Sequence, residues 1–316
     1  MNPDSCPICH SVDLRLVFDD VRDYITGNSF QVRRCNNCDV GFTYPYSQQM
    51  EPYYPPQYRR YRFPVSVLLR ALYSLRAKSW SKLCGKPGTV LEIGCGDGVM
   101  LDTLRRLGWR VVGVERTAKM AWFACHKLGL PVFAGGTEAI VPKPHFDLII
   151  LFQVLEHISD PLNVLKQCAT LLKPGGVLLV GMPNLDSWQA LYSGPHWFHL
   201  DVPRHLFHFS PKSLENVLEM ADLMLAHISF ISFEHDPYGW VQSTLNRIGA
   251  GSRGQANALT RRLMGLDQFA WKDLTMVLVG ALMLIPSLLL SLLSWARGSG
   301  AIMVATAFRE PEDKTR

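Results

Sequence analysis

The chain has 316 residues, 48% hydrophobic and 19% charged, which excludes a disordered tail and a small peptide held by disulfide staples. Its 32 Lys and Arg against 27 Asp and Glu leave a net charge of +5, too mild to indicate nucleic acid on charge alone. The length suits one large domain with an appendage, or two domains.

The segment Met1–Asp20 contains Asp4, Asp13, Asp19 and Asp20 and no uninterrupted apolar run, so no secretory signal is expected and a cytoplasmic location is. Two C-x-x-C pairs follow, Cys6/Cys9 and Cys35/Cys38, with 25 residues between the pairs. Four thiolates at this spacing predict a closed tetrahedral zinc site. Such a site leaves no position for water, so its role is folding or docking and not catalysis. His10 adjoins Cys9 and is read as a spectator. A redox dithiol would need a single C-x-x-C at a helix start in a thioredoxin-like fold, which two paired knuckles do not match. Cys84, Cys95, Cys125 and Cys168 are scattered through apolar sequence, as reduced thiols are. Residues 1–58 thus form a small, loop-rich module ending in Pro45, Pro52, Pro55 and Pro56. Between Glu51 and Glu92 there is no acidic residue, while Arg59, Arg60, Arg62, Arg70, Arg76, Lys78, Lys82 and Lys86 accumulate; residues 59–86 are predicted to be a basic helical connector.

From Thr89 onward, short β-branched runs alternate with helical stretches, the pattern of a parallel α/β sheet. Strands are predicted at Thr89–Ile93, Arg110–Glu115, Val132–Ala134, Asp147–Phe152 and Gly176–Met182. Helices are predicted at Val99–Leu107, Thr117–Leu128 and Pro161–Leu172, the last closed by Lys173, Pro174, Gly175 and Gly176. A capped helix from Ser210 to Ala221 and a strand from Leu225 to Phe233 follow. Leu274–Ala296 carries no charge, and Ala301–Phe308 reads as a final strand.

The loop Glu92-Ile93-Gly94-Cys95-Gly96-Asp97-Gly98 follows a strand and opens a helix, so ligand can approach backbone where side chains would block it. Its third glycine comes one residue too early for a dinucleotide fingerprint, and it lacks the G-K-[ST] ending of a phosphate loop. Glu92 and Asp97 would repel phosphate and attract a cation. Glu115, 21 residues after Gly94, ends the next strand where a carboxylate can accept both hydroxyls of a ribose.

These residues resemble the first motif of class I S-adenosylmethionine-dependent methyltransferases, and Glu115 matches the ribose-binding acid of that family. Phe146-Asp147-Leu148-Ile149-Ile150-Leu151-Phe152-Gln153-Val154-Leu155-Glu156-His157 looks like the fourth strand and following turn of the family. Leu171-Leu172-Lys173-Pro174-Gly175-Gly176 resembles the loop before its fifth strand. The resemblance covers Pro87–Phe233 and resumes at Ala301. It implies a Rossmann-like, mostly parallel sheet with an antiparallel last strand, and S-adenosylmethionine held by Glu92, Gly94, Gly96, Gly98, Glu115 and Gln153. Where many relatives carry an Asp for the adenine amine, Gly135-Gly136-Thr137-Glu138 offers glycine, so Thr137 or backbone would serve. The stretch Cys35–Tyr61 resembles the zinc-ribbon leader of methyltransferases in sugar and cell-surface glycan pathways.

Within 195–210, Trp197, Asp201, Pro203, Arg204, His205, His208, Phe209 and Ser210 follow a W-x-x-x-D-x-P-R-H-x-x-H-F-S pattern. That pattern resembles an active-site loop found after the fifth strand in a methyltransferase subgroup. His205 and His157 are the candidate bases. A Leu-Glu-His turn like Leu155-Glu156-His157 helps hold a divalent metal in quinone O-methyltransferases, which adds Glu156 to the candidate catalytic set.

The 23 residues Leu274–Ala296 are long enough to cross a ~30 Å hydrocarbon layer at ~1.5 Å per residue. Trp271 and Trp295 bracket them, with Lys272 and Arg297 outside. A single crossing would put the last strand on the wrong side of the membrane. The reading is therefore two half-helices broken at Pro286 that dip and return; the alternative is a buried helical cap.

The sequence thus predicts a zinc ribbon at 1–58, a connector at 59–86, a methyltransferase domain at 87–236, an insertion at 237–300 and the last strand at 301–310. The expected function is methyl transfer to a small-molecule, lipid-linked or glycan-pathway acceptor at a membrane surface, with S-adenosylmethionine as cofactor and a structural zinc. Rival readings are a quinone or phenol O-methyltransferase, an RNA methyltransferase, and a non-catalytic binding protein that keeps the fold. Nucleic acid is not an expected partner.

Overall fold

The computed structural model describes residues 4–47, 49–55, 61, 63–136, 146–249 and 256–309. Arg59, Arg60, Arg62, Thr137 and Glu138, and the side chain of Lys272, lie outside the described residues. The chain forms two compact units, one made of Met1–Leu68, Pro183–Leu214 and Ser229–Met303, the other of Leu69–Met182, Glu215–Ile228 and Val304–Arg316.

In the first unit, β1 (Leu14–Arg22), β2 (Ser29–Cys35) and β3 (Gly41–Tyr44) form an antiparallel meander. Cys6 and Cys9 precede β1, Cys35 and Cys38 lie at the β2–β3 turn, and the Leu14/Cys35 register brings both pairs to one end of the meander. In β2, Phe30, Val32 and Arg34 alternate inward, and the buried Arg34 is held by Asp39 at 2.8 Å and Asp186 at 2.5 Å.

The basic stretch forms a helix, α1 (Val65–Leu83). The second unit then alternates strand and helix: β4 (Thr89–Ile93), α2 (Val99–Arg106), β5 (Arg110–Glu115), α3 (Ala118–Leu128), β6 (Val132–Ala134), β7 (Phe146–Phe152), α4 (Pro161–Leu171) and β8 (Leu172–Pro183). The pairs β4/β5, β4/β7, β5/β6 and β7/β8 are all parallel. Strands β4 and β7 are largely buried along their length, so apart from Thr89, Glu92 and Asp147 they read as hydrophobic runs. Thr117 stands just before α3, and Gly129 ends it in the left-handed region.

Lys173–Gly176 were expected to close α4. Instead the helix stops at Leu171 and β8 begins at once. The pairing jumps from Phe146/Leu172 to Leu148/Val177, so Lys173–Gly176 loop out of the ladder as extra residues, and Lys173 Nζ returns to Asp147 at 2.8 Å.

After β8 come α5 (Trp188–Ser193), β9 (Phe207–His208), α6 (Pro211–Glu219), β10 (Leu223–Ser229), α7 (Asp236–Arg247), α8 (Ala258–Leu263), α9 (Leu274–Leu282), α10 (Leu284–Ala296) and β11 (Ile302–Arg309). The large sheet has the order β10-β11-β8-β7-β4-β5-β6, and the small one β1-β2-β3-β9. The last strand thus sits between β8 and β10.

The apolar segment does form two helices, bent by 46°, but the break is at Met283 and not Pro286. Pro286 is the third residue of α10, where the helix has no internal acceptor waiting for its missing N–H. Trp295, expected as an interface anchor, instead donates its indole N–H to buried Asp236 at 2.6 Å. Trp271 is exposed.

Candidate functional site

The glycine loop joins β4 to α2 at the C-terminal edge of the parallel strands, the usual ligand edge of an open α/β sheet. Gly94 has φ +73°, and a Cβ there would lie 2.4 Å from Val154 Cγ2, so only glycine fits beneath the turn after β7. Gly96 has φ +54° with no atom within 4 Å of a built Cβ, which leaves its backbone open to a ligand. Gly98 is the residue just before α2.

Glu115 closes the loop from the next strand. Its Oε2 accepts Gly96 N–H at 2.9 Å and its Oε1 accepts Thr117 N–H at 2.8 Å. Glu92 is buried, and burial first, then the charges of Asp97 and Glu115, push its carboxyl up to about 8. Its Oε2 has no hydrogen-bond partner, nor has the buried Nε2 of Gln153. Gln153 adopts φ +58° just past β7 and is tied by its N–H to Gly181 O at 2.7 Å. An orphaned carboxylate oxygen, an orphaned amide N–H and an open glycine backbone are what a ligand with a cationic end and a hydrogen-bonding nucleoside would satisfy.

Residues 58–228, over half of the chain, match the family described as "Methyltransferase domain". The chain belongs to the S-adenosylmethionine-dependent methyltransferases. The methyltransferase is 35% identical over 123 residues to the ubiquinone biosynthesis O-methyltransferase of Rhodopseudomonas palustris, covering 37% of this chain and 47% of that one. It therefore spans about half the length of that relative. It is 33% identical over 174 residues to the enzyme of the same name in Albidiferax ferrireducens, covering 50% and 69%. A solved S-adenosylmethionine-dependent methyltransferase from Archaeoglobus fulgidus superposes with TM-score 0.48 at 19% identity, covering 76% of this chain and 94% of that one.

In this methyltransferase the cofactor-side residues named from sequence, Glu92, Gly94, Gly96, Gly98, Glu115 and Gln153, gather on the adjoining ends of β4, β5 and β7. Glu156, buried, and His157, half-buried, form the short 3-10 turn Leu155–His157 after β7. In the other unit, the Sγ atoms of Cys6, Cys9, Cys35 and Cys38 all lie within 4.8 Å of one another. That donor set and spacing fit one tetrahedral zinc.

The loop 195–210 lies in the same unit as the cysteines. His205 is buried, its Nδ1 donates to His199 O at 2.9 Å, and its Nε2 lies 3.9 Å from Asp201 Oδ2. Thr43 of β3 donates its hydroxyl proton to His205 O at 2.6 Å, so His208 must be the donor in its 2.9 Å bond to Thr43 Oγ1. Burial pushes His208 down to about 3, so this ring stays neutral. Arg204 is fully buried and bonded to Asp23 at 2.7 Å, Asp201 at 2.8 Å and Tyr53 O at 2.9 Å. The conspicuous Asp and Arg of the motif thus hold the loop to the β1–β2 turn.

Sequence reasoning passed over Arg70, whose guanidinium pairs with Asp97 of the glycine loop at 2.5 Å, and Asp236, which accepts from Trp295, Ala301 N–H at 3.0 Å and Ile302 N–H at 3.1 Å. The stretch without acids between Glu51 and Glu92 was the only signal for Arg70, because it leaves the arginine no nearby partner in its own segment.

Proposed function

We propose that this methyltransferase O-methylates a hydrophobic, lipid-linked phenol or quinol at a membrane face, with one zinc holding its N-terminal ribbon. The observation that carries the membrane reading is the inverted surface of α10. Ser287, Ser291 and Ser294 are buried on the side packed against α7, while Leu284, Ile285, Leu288, Leu289, Leu292 and Leu293 are exposed. The serine hydroxyls are satisfied within the helix, as in the 2.7 Å bond from Ser291 to Ser287 O. In water such a surface is costly, whereas against lipid it is favourable.

No single helix among the described residues is long and apolar enough to cross a membrane. The chain leaves the large sheet at β10 and rejoins it at the neighbouring β11, so the helix pair must return to the side it left. Neither helix alone, at ~14 and ~20 Å, reaches across a ~30 Å layer, and in this reading the bent pair dips into one leaflet and does not form a broken span.

S-adenosylmethionine, when bound, supplies an electrophilic methyl group on a cationic sulfur. In this reading Glu115 receives the ribose hydroxyls while fixing Gly96, Glu92 balances the ligand's positive end, and Gln153 Nε2 donates to the nucleoside. A phenol has a pKa near ~10, so its proton must be removed as the methyl is accepted. His205 and His157 are the candidate bases, with Glu156 holding its turn or a divalent ion. The relatives named for ubiquinone biosynthesis favour a phenolic acceptor over a glycan.

The test is incubation of the purified chain with methyl-labelled S-adenosylmethionine and, separately, a prenylated catechol in micelles, a lipid-linked glycan extract and ribosomal RNA. Label in the catechol is expected. Label confined to glycan or RNA would replace this reading with the corresponding rival.

A further inference from the structure

The helix α1 has two faces of different chemistry. At 3.6 residues per turn, Val67, Leu68, Ala71, Leu75, Lys78, Ser79, Lys82 and Leu83 share an arc of about 160°, and all eight are exposed. Leu68, Leu75 and Leu83 are 60%, 59% and 61% exposed, far more than leucines of a soluble helix facing its own core. Lys78, Lys82 and the following Lys86 flank them, and no acidic residue occurs anywhere between Glu51 and Glu92.

The opposite face lies on the cofactor side of the methyltransferase unit. Arg70 pairs with Asp97 of the glycine loop at 2.5 Å, and Ser74 accepts from Thr103 of α2 at 3.1 Å. Tyr73, Arg76 and Trp80 all pack on Phe152, the residue before Gln153, with ring centroids at 6.1 and 5.4 Å and the guanidinium at 4.9 Å.

The two halves of α1 are held unequally. Its buried residues, Ala77 and Trp80, both belong to the second half. The first half is held by the half-buried Tyr73 on Phe152 and by the Arg70–Asp97 pair, whose side chains are 50% and 33% exposed, and such solvated pairs hold weakly. The element that touches the glycine loop is thus the marginally docked end of a basic amphipathic helix.

We propose that α1 lies on an anionic lipid surface and that this contact tightens cofactor binding. Lysines beside exposed leucines complement a bilayer of anionic headgroups and acyl chains. Lipid would restrain the first half of α1 in the position where Arg70 holds Asp97 and Tyr73 covers Phe152. A cofactor binding to a site already ordered loses less freedom, and by linkage the cofactor equally strengthens adsorption of the helix. The proposal rests on the membrane reading above, adding a second contact carried by different residues and a consequence for the cofactor.

The experiment measures S-adenosylhomocysteine affinity of the full chain by calorimetry, with no vesicles, with phosphatidylcholine vesicles, and with vesicles containing one-quarter phosphatidylglycerol. The anionic vesicles should tighten binding by about fivefold or more, within the usual range of coupling between two sites, and 0.5 M salt should reduce the gain. The double variant Lys78→Glu/Lys82→Glu should bind the cofactor product normally without vesicles, still sediment with them through α9 and α10, and lose the gain. Arg70→Ala should keep sedimentation and lose the gain. Equal affinity in all three conditions, while the protein sediments with vesicles, overturns the coupling and leaves the membrane reading standing. Failure to sediment with any vesicle sinks the membrane reading itself. A gain produced by ribosomal RNA and not by anionic vesicles assigns the basic face to nucleic acid and overturns the proposal.

Discussion

Glu115 accepts Gly96 N–H at Oε2 at 2.9 Å, so the carboxylate proposed to receive a ribose also fixes the glycine loop. Replacing it therefore removes ligand contacts and loosens the cradle together. Glu115→Gln should weaken S-adenosylmethionine binding about 10- to 100-fold, the equivalent of one charge-assisted hydrogen bond of ~1.5–3 kcal/mol. Calorimetry with unchanged affinity would remove Glu115 from the site.

Glu92 predicts a pH signature. Its carboxyl is raised to about 8 in the folded chain, so between the ordinary carboxylate range and pH 8 the folded state holds a proton that the unfolded state has lost. Stability of the ligand-free protein should therefore fall as pH rises through that window, and Glu92→Gln should flatten the fall. A cationic ligand favours the ionised form. S-adenosylmethionine binding should then release a proton below pH 8 and strengthen as pH rises, seen as a dependence of the calorimetric heat on the buffer's ionisation enthalpy. No such dependence would mean that the ligand's charge does not meet Glu92.

The cysteine cluster should bind one zinc per chain, and Cys35→Ser should lose it. Because Thr43 on β3 holds His205 O, and β3 pairs with β9 through Gly41/His208 and Phe42/Phe207, the effect should reach the histidine loop. The expected result is lost turnover with cofactor affinity changed less than about twofold, since the glycine loop belongs to the other unit. Elemental analysis finding no zinc in the unsubstituted protein would rule out the ribbon reading.

The strands β4, β5 and β6 are legible in the sequence because each is a short apolar run between helices with clear ends, and the cofactor loop because its glycines have no substitute. Other features depend on distant partners. The two residues of β9 become a strand only by pairing with β3, and Lys173–Gly176 leave the ladder where Asp147 draws Lys173 back. The break at Met283 is invisible beside Pro286, since a proline in a first turn is compatible with a continuous helix. Arg70 has its partner 27 residues on, across a turn that no periodicity encodes.

The inverted surface of α10 makes a localisation prediction. Leu288→Asp/Leu292→Asp should move the protein from the membrane to the soluble fraction, each Leu forfeiting part of the ~1.5–3 kcal/mol of full burial, without lowering cofactor affinity in detergent. A tag placed after the chain should be protected from external protease in intact cells, as should one placed before it. Cleavage of the trailing tag alone would mean that the segment crosses the membrane.

The place of β11 between β8 and β10 has a consequence for biosynthesis. While a ribosome is still translating α9 and α10, every cofactor residue has already emerged, yet the slot in the large sheet remains open. Val304 and Phe308 are missing from the core they will later join. The exposed leucines of α9 and α10 thus precede in the chain the strand that completes the sheet. A nonsense mutation just before Ile302 would spare all the recognisable motifs and still leave the sheet unfinished.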